Sequence, residues 1–191
     1  MTSIFFAERN IFSAFYQRCK KVNYIIMKVE FTSFSPDDLN QVMALDHQAY
    51  PPKVRFSEQQ LLAILEDPEV HCYVAKIENG QCIGVCLIKI LKFNEQMRLI
   101  SVVVEESCRN QGVGSMVMNC VLSIAKHADV KNMVLQISSD NEKGIKFFQR
   151  YHFKKIKDIE PFLFEGNSGQ EFQLILKKNR EIKVFRSLDM K

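Results

Sequence analysis

Nowhere does the chain carry an apolar run approaching the roughly 20 residues of a membrane-spanning helix, so no membrane span is expected. The six cysteines, at 19, 72, 82, 86, 108 and 120, include no Cys-x-x-Cys pair and no metal-ligand spacing. That argues against a zinc module or a disulfide framework. Cys82 and Cys86 stand four apart on an expected strand, hence on one face, and read as small core residues in a reducing, cytoplasmic setting. The four histidines are scattered, also without metal spacing, and no internal repeat or low-complexity segment is present. Charge of one sign is missing from the body as well. Residues 1–26 carry four basic and one acidic side chain and residues 177–191 six and two, so the net +4 leaves 16 basic against 19 acidic in between. A nucleic-acid partner calls for a basic face and is not expected. A mildly acidic body is compatible with a cationic amine.

What remains is an ordinary globular composition, 47% hydrophobic and 25% charged over 191 residues, enough for one domain with a full core. The expected divisions are an N-terminal extension 1–26, a domain 27–178 and a basic tail 179–191. The extension pairs Arg9, Arg18, Lys20 and Lys21 with helically spaced Ile4, Phe5, Ile11, Phe12 and Phe15. An extra helix, or sequence upstream of a true start at Met27, fits it better than a targeting peptide, because serine is sparse. Whether the domain is a monomer or a homodimer is not written in the sequence.

Along the domain, Lys28–Thr32 alternates as a strand. Ser35-Pro36-Asp37-Asp38 opens a helix that ends near Tyr50-Pro51-Pro52, and Ser57 caps a second one closed by Asp67-Pro68. Val70–Ile77 and Gln81–Lys92 are strands joined at Glu78-Asn79-Gly80, where Asn-Gly predicts a type I′ hairpin. A loop at Phe93–Gln96 leads to the central strand. There follow a helix Gly112–His127, a strand Lys131–Ser138, a helix Asn141–Tyr151 and strands Lys154–Ile159 and Glu171–Lys177, the last two joined by a turn at Glu165–Gly169.

The most informative stretch is Ile100–Ser115, ISVVVEESCRNQGVGS. Its β-branched run, Ile100 and Val102–Val104, is a buried strand. After Glu105-Glu106 it turns through Arg109-Asn110-Gln111-Gly112-Val113-Gly114 into a helix with apolar Val113, Met116, Val117, Cys120, Val121 and Ile124. A glycine-bearing turn at a helix start binds anions, because first-turn N–H groups converge outward and the helix dipole adds positive potential. Gly112 and Gly114 remove the Cβ atoms that would keep a diphosphate from the backbone. A P-loop would need Lys-Ser/Thr after Gly114, and a dinucleotide fingerprint would need a third glycine and a later acid; both are absent.

Arg-x-x-Gly-x-Gly after a valine-rich strand resembles the acetyl-CoA signature of the GNAT superfamily of N-acetyltransferases. The resemblance continues in Asn141-Glu142-Lys143-Gly144-Ile145-Lys146-Phe147-Phe148, similar to the family's Asn-x-x-Ala-x-x-Phe-Tyr helix, and in Tyr151-His152-Phe153, where Tyr-Gly-Phe is usual. It spans about residues 28–177. It implies an α/β fold whose central, mostly antiparallel sheet contains two splayed parallel strands, here those of Ile100 and Val134, with helices on both faces. It also implies acetyl-CoA as co-substrate. The pantetheine arm would follow the backbone of Val102, Val103 and Val104, and the diphosphate would cap the helix at Gln111, Gly112, Val113, Gly114 and Ser115, beside Arg109 and Asn110. Asn141 and Phe148 would line the arm from the far side, Asn141 doubling as an N-cap.

The catalytic half departs from the pattern. Phe148 stands where a general-acid tyrosine is common, Gln136 where N-terminal acetyltransferases carry a catalytic His or Glu, and Arg98 at the place of the histone-type Glu. General acid–base help is worth about 10²–10⁴-fold, so its loss need not abolish transfer. A lysine amine is neutral to only about 10⁻³ or less at pH 7, whereas an α-amine is roughly a tenth neutral. The missing bases therefore favour a peptide α-amine or small-molecule amine over lysine. Glu105, with Glu106 beside it, and Tyr151 are the remaining candidates for base and acid; their plainer roles are a solvated loop acid and a packed core residue. Cys108 near a helix start is a conceivable but disfavoured acyl carrier. The rival readings are an acyl-CoA-binding regulatory module without turnover and a nucleotide-phosphate binder of unrelated fold.

Overall fold

The computed structural model describes residues 28–162 and 166–176. The expectations for residues 1–26 and for the tail after Lys178 lie outside the described residues. Seven strands form one sheet in the order β1-β2-β3-β4-β5-β7-β6. They are β1 (Val29–Ser33), β2 (Val70–Ile77), β3 (Cys82–Leu91), β4 (Gln96–Val104), β5 (Asn132–Ser138), β6 (Lys154–Ile159) and β7 (Gly169–Ile175). Every neighbouring pair is antiparallel except β4 and β5. The central strand begins at Gln96, four residues before the β-branched run that announced it.

Helices cover both faces. On one, α1 (Leu39–Ala49) and α2 (Glu58–Leu65) bury Val42, Leu45 and Leu61 against Cys72, Val74, Val85 and Val103. On the other, α3 (Val113–His127) buries its predicted stripe of Val113, Met116, Val117, Cys120, Val121 and Ile124, and α4 (Glu142–Arg150) packs Ile145, Phe147 and Phe148 against the same core. Both helix starts on the first face are built from side chains. Ser57 Oγ accepts from Gln60 N and Gln60 Oε1 from Ser57 N, a full capping box on α2. The α1 start is a 3₁₀ turn, Pro36–Asp38, where Ser35 N and Oγ both donate to Asp38 Oδ2. The buried Asp38 also takes Lys76 Nζ at 2.5 Å.

Two sequence expectations are corrected by the backbone. The β2–β3 hairpin is present, but not through a type I′ turn. Of its loop residues only Gly80 has a positive φ, 84°, and Gly80 N donates to Ile77 O while Ile77 N donates to Gln81 O. This is a three-residue loop closed by a left-handed glycine, as in hairpins with a G1 bulge. The register then shifts, Ala75 facing Gly84 but Lys76 facing Cys82. That extra residue puts Cys82 in the α1–α2 core and Cys86 in the α3–α4 core, on opposite faces rather than one. The five described cysteines are free and buried, and burial, reinforced by Asp38, pushes the Cys72 thiol up to about 12.

α3 and α4 both end without glycine. Phe153 N reaches Phe148 O and His152 N reaches Gln149 O, with Phe153 packed edge-on to Phe148 at 5.7 Å. This Schellman ending needs a left-handed residue, and His152 supplies it at φ 66° where the resembling family has Gly. Asp129, φ 51°, does the same after α3.

His152→Gly should therefore stabilise the fold by about 1 kcal/mol, measured as a raised urea midpoint, since a side chain in the left-handed region costs about that much. Asp38→Asn should cost about 1.5–3 kcal/mol by removing charge-assisted bonds. For Asp38, burial raises the carboxyl's proton affinity, but Lys76 and Ser35 outweigh it and hold the group below its ordinary value. Its stabilisation is thus complete above the unfolded value near pH 3.9 and is lost as pH falls through the lower folded one. The midpoint should fall with acid in the wild type, and this part of the fall should vanish in Asp38→Asn.

Candidate active site

The site begins with a strand pair that separates. β4 and β5 pair through Gln96–Leu99 and Asn132–Leu135, and no further. On its other edge β4 faces β3, with Leu87 opposite Ser101 and Ile88 opposite Leu99, so Ile100 is an inserted residue. A bulge adds twist and bends its strand. Beyond it, β4 stays with β3 and leaves β5. Glu105 N donates to Ile83 O. By the alternation of an antiparallel ladder, Val103 and Ser101 also turn their peptide groups to β3, and Val102 and Val104 turn theirs toward the gap.

Past Val104 come a 3₁₀ turn (Glu106–Cys108) and the loop Arg109–Gly112. Asn110 (φ 60°) and Gly112 (φ 86°) are left-handed, which swings the chain into α3 with Gly112 as N-cap. Gly112 has no side chain to cap with, so the N–H groups of Val113, Gly114 and Ser115 have no intrahelical acceptor. At Gly114 the Phe147 ring and the Val104 side chain lie at ordinary contact distance, 3.4 Å and 3.8 Å from where a Cβ would stand, so the first turn of α3 packs beside both β4 and α4. Arg109 folds back, Nε donating to Val104 O at 3.0 Å, and its guanidinium is exposed, as are Asn110 and Gln111. Gln111 Nε2 holds Ser107 O at 2.7 Å.

The far side of the gap is the end of β5 and the start of α4. Asn141 caps α4, Oδ1 accepting Gly144 N at 2.9 Å. At Gly144, where the resembling family carries Ala, a Cβ would lie 2.7 Å from Ile137 Cδ1 and 2.8 Å from Asn141 Nδ2. Glycine seats the helix closer to β5. Phe148 is half-buried between Phe147 and Phe153. Between α4 and the Asn110 loop opens a cavity of about 720 Å³ lined by Asn110, Lys143, Lys146, Phe147, Gln149 and Arg150. Arg150 lies over the Phe147 ring, 5.6 Å from its centroid. Lys143, Lys146 and Arg150 are functional candidates that sequence reading passed over. Their i, i+3 and i+7 spacing on one helix face was the available signal.

Both catalytic candidates, Glu105 and Tyr151, have side chains engaged by neighbouring elements. Glu105 follows the end of β4 and turns toward β3, its Oε2 accepting from Gln81 Nε2 at 3.3 Å and from the Cys108 thiol at 3.7 Å. Tyr151 is buried and its hydroxyl points at Ser115 O, 3.4 Å away, tying α4 to the first turn of α3. Burial raises its phenol's proton affinity.

The opposite face of the divergence is reached by the connector Tyr50–Phe56. Tyr50 OH lies 3.0 Å from Ser101 Oγ, one residue past the bulge. Arg55 Nε donates to Tyr50 O at 2.7 Å, and Phe56 N to the buried Asp46. The connector is therefore fixed onto β4 and is more than a linking loop. Arg98 and Gln136 are exposed on this face, and Gln136 Nε2 donates to Glu171 Oε2 on β7 at 2.7 Å. Among the described residues no cluster of His, Cys, Asp or Glu is placed to hold a metal, and no helix is long and apolar enough to cross a membrane.

No curated protein matches the chain in sequence. Solved structures match its fold. Ard1 from Thermoplasma volcanium superposes with a TM-score of 0.70 at 18% identity, over 78% of this chain and 98% of that one. NAA60 from Arabidopsis thaliana, solved with a bisubstrate analogue, gives 0.69 at 14% identity over 79% and 99%. The ribosomal-protein-S18-alanine N-acetyltransferase of Escherichia coli gives 0.67 at 14% identity over 80% and 97%. The sequence model of the Acetyltransferase (GNAT) family matches residues 37–153, from the first helix through the end of the α4 motif, and so takes in the bulged strand, the glycine loop and the α4 cap alike. The chain is a member of the GNAT acetyltransferase family.

Proposed function

We propose that this chain is an acetyl-CoA-dependent N-acetyltransferase that passes the acetyl group to a primary amine by direct attack in a ternary complex. A peptide α-amine or a small-molecule amine is favoured over lysine. The observation that carries the reading is the divergence of β4 from β5 after Leu99 and Leu135, with the α3 N-terminus at its outer end, half-exposed at Gly112, Gly114 and Ser115 behind the exposed Asn110 and Gln111. Two structural neighbours add to it: one is an N-acetyltransferase acting on alanine of ribosomal protein S18, and one was solved with a bisubstrate analogue. We place the reaction in the cytoplasm, in keeping with buried, free thiols, and leave monomer and homodimer as equal alternatives.

The residues present fit coenzyme A. The Val102 peptide groups and the Val104 N–H turn toward the gap, available to an amide-bearing arm, while Val104 O holds Arg109 Nε and Val103 holds the strand to β3. The first-turn amides of Val113, Gly114 and Ser115, with Gly112 before them, converge on the diphosphate position, flanked by Asn110, Gln111 and Arg109. Asn141 and Phe148 border the arm. Lys143, Lys146 and Arg150 offer three cations to further phosphate. Acetyl-CoA supplies an activated acyl group whose thiol, with a pKa near 8.5, leaves tolerably at neutral pH. A backbone N–H of β4 facing the gap is aimed to receive developing negative charge on the carbonyl oxygen.

Arg98, Gln136 and Phe148 favour one rival, a regulatory module that holds acyl-CoA without turnover, because none of them accepts or gives a proton at neutral pH. Incubation with acetyl-CoA and a panel of peptide α-amines, small amines, polyamines and lysine peptides separates the two. Thiol release above background is expected with α-amines or small amines, and its disappearance in Gly112→Asp, where φ is 86° and the new carboxylate would face the diphosphate. Tight coenzyme A binding with no release on any amine would favour the module. A second outcome concerns the α4 cavity: Arg150→Ala or Lys146→Ala should each weaken coenzyme A about tenfold by calorimetry and lessen its salt dependence, the usual gain of a charge-assisted bond being discounted for exposure.

A further inference from the structure

We propose that Glu171 is the general base for the acceptor amine, an assignment that rests on the acetyltransferase reading above. Gln136 is the first β5 residue past the end of the β4 pairing, and it stands opposite Glu171 on β7. The two side chains share the sheet face away from α3 and α4, since Met133, Leu135 and Ile137 point into the α3–α4 core. On this face α1 and α2 cover the β2–β4 half, whereas Arg98, Gln136 and Lys157 on the other half are exposed. Glu171 itself is 9% exposed, sheltered under Gln136 Nε2 at 2.7 Å and Lys157 Nζ at 3.4 Å.

A carboxylate is expensive to shelter unless it is paired. Here two donors hold it, one on each oxygen, on the exposed sheet face beside the divergence, between Arg98, Gln136 and Lys157. A carboxylate offers about four lone-pair positions, so these donors leave it able to accept from an ammonium or a water. The position on β5 itself is filled by an amide that has no basicity, and the acid nearest along β4, Glu105, faces β3. The carboxylate missing from β5 is thus supplied one strand away and handed forward by Gln136. The other charged groups at neighbouring register positions are Arg98 on β4 and Lys154 and Lys157 on β6. Their positive charge favours a neutral amine over an ammonium beside them.

In the step, the acceptor ammonium gives one proton to the Glu171 carboxylate, directly or through a single water. The freed nitrogen lone pair forms the bond to the thioester carbonyl carbon. The C–S bond breaks with its electron pair on sulfur, and a second nitrogen proton passes to that sulfur. Amide, thiol and protonated Glu171 result, and Glu171 returns its proton to solvent.

Steady-state kinetics over pH on the same amine panel, with calorimetry for coenzyme A, decide the matter. Glu171→Gln is expected to lower kcat about 10²–10⁴-fold. It should also abolish the acid limb of the kcat/KM profile and leave coenzyme A affinity unchanged. Gln136→Ala removes the bridge but keeps the carboxylate, so it should retain the acid limb and lose no more than about tenfold in rate, the net worth of one hydrogen bond. An unchanged profile in Glu171→Gln, a parallel loss of coenzyme A affinity, or an equal loss in Gln136→Ala would overturn the assignment. A wild-type protein silent on every amine would overturn the acetyltransferase reading, and this assignment with it.

Discussion

One inserted residue governs this molecule. Ile100 has no partner of its own on β3, and the bulge it makes turns the second half of β4 away from β5 directly after their last pair, Leu99 with Leu135. Two parallel strands that stayed together would satisfy each other's peptide groups and leave nothing for a ligand. Once they part, the peptide groups of Val102 and Val104 lose their strand partner on that side. The Val104 carbonyl is taken by Arg109 Nε, and the Val102 groups and the Val104 N–H are left to face the gap, where unpaired peptide groups cost free energy. Tyr50 fixes the strand immediately after the bulge by its bond to Ser101, so the same bend also positions the connector on the opposite face.

The remaining parts of the site follow from that bend. β4 delivers the chain to a loop whose left-handed Asn110 and Gly112 aim α3 outward, and the helix starts beside both β4 and α4. α4 closes the other side, seated close by Gly144 and ended by a Schellman turn at His152. The two faces of the sheet then have separate work. The α3–α4 side presents backbone amides and cations suited to phosphate and pantetheine, and the α1–α2 side presents the fixed connector and the Gln136–Glu171 pair.

Much of this was legible because it is local. Capping signals at Ser35 and Ser57, the α3 stripe, and the glycine loop after a β-branched run are each written within a few residues and became the expected elements. What was not legible depends on partners far apart in the chain. The bulge at Ile100 is a mismatch between two strands and leaves no mark on either alone. The shift near Cys82, which sends Cys82 and Cys86 to opposite cores, is of the same kind. The Asn-Gly pair pointed to a type I′ turn, but one more loop residue made a glycine-closed loop fit the twist of β2 and β3 better. Glu171 lies 35 residues from Gln136 and meets it only because β7 inserts between β5 and β6. Tyr151 and Glu105 read as possible catalysts by chain position, yet each is turned to a neighbouring element instead.

The central claim is that the backbone of β4 past the bulge, together with the first turn of α3, is held open for coenzyme A. Residue-resolved amide hydrogen exchange with and without coenzyme A tests this most directly. The account predicts that Val102, Val104, Val113, Gly114 and Ser115 exchange faster than Val103 in the free protein and are slowed together when coenzyme A binds. Equal protection of Val102, Val103 and Val104 in the free protein, or coenzyme A binding that leaves these amides unchanged, would contradict it.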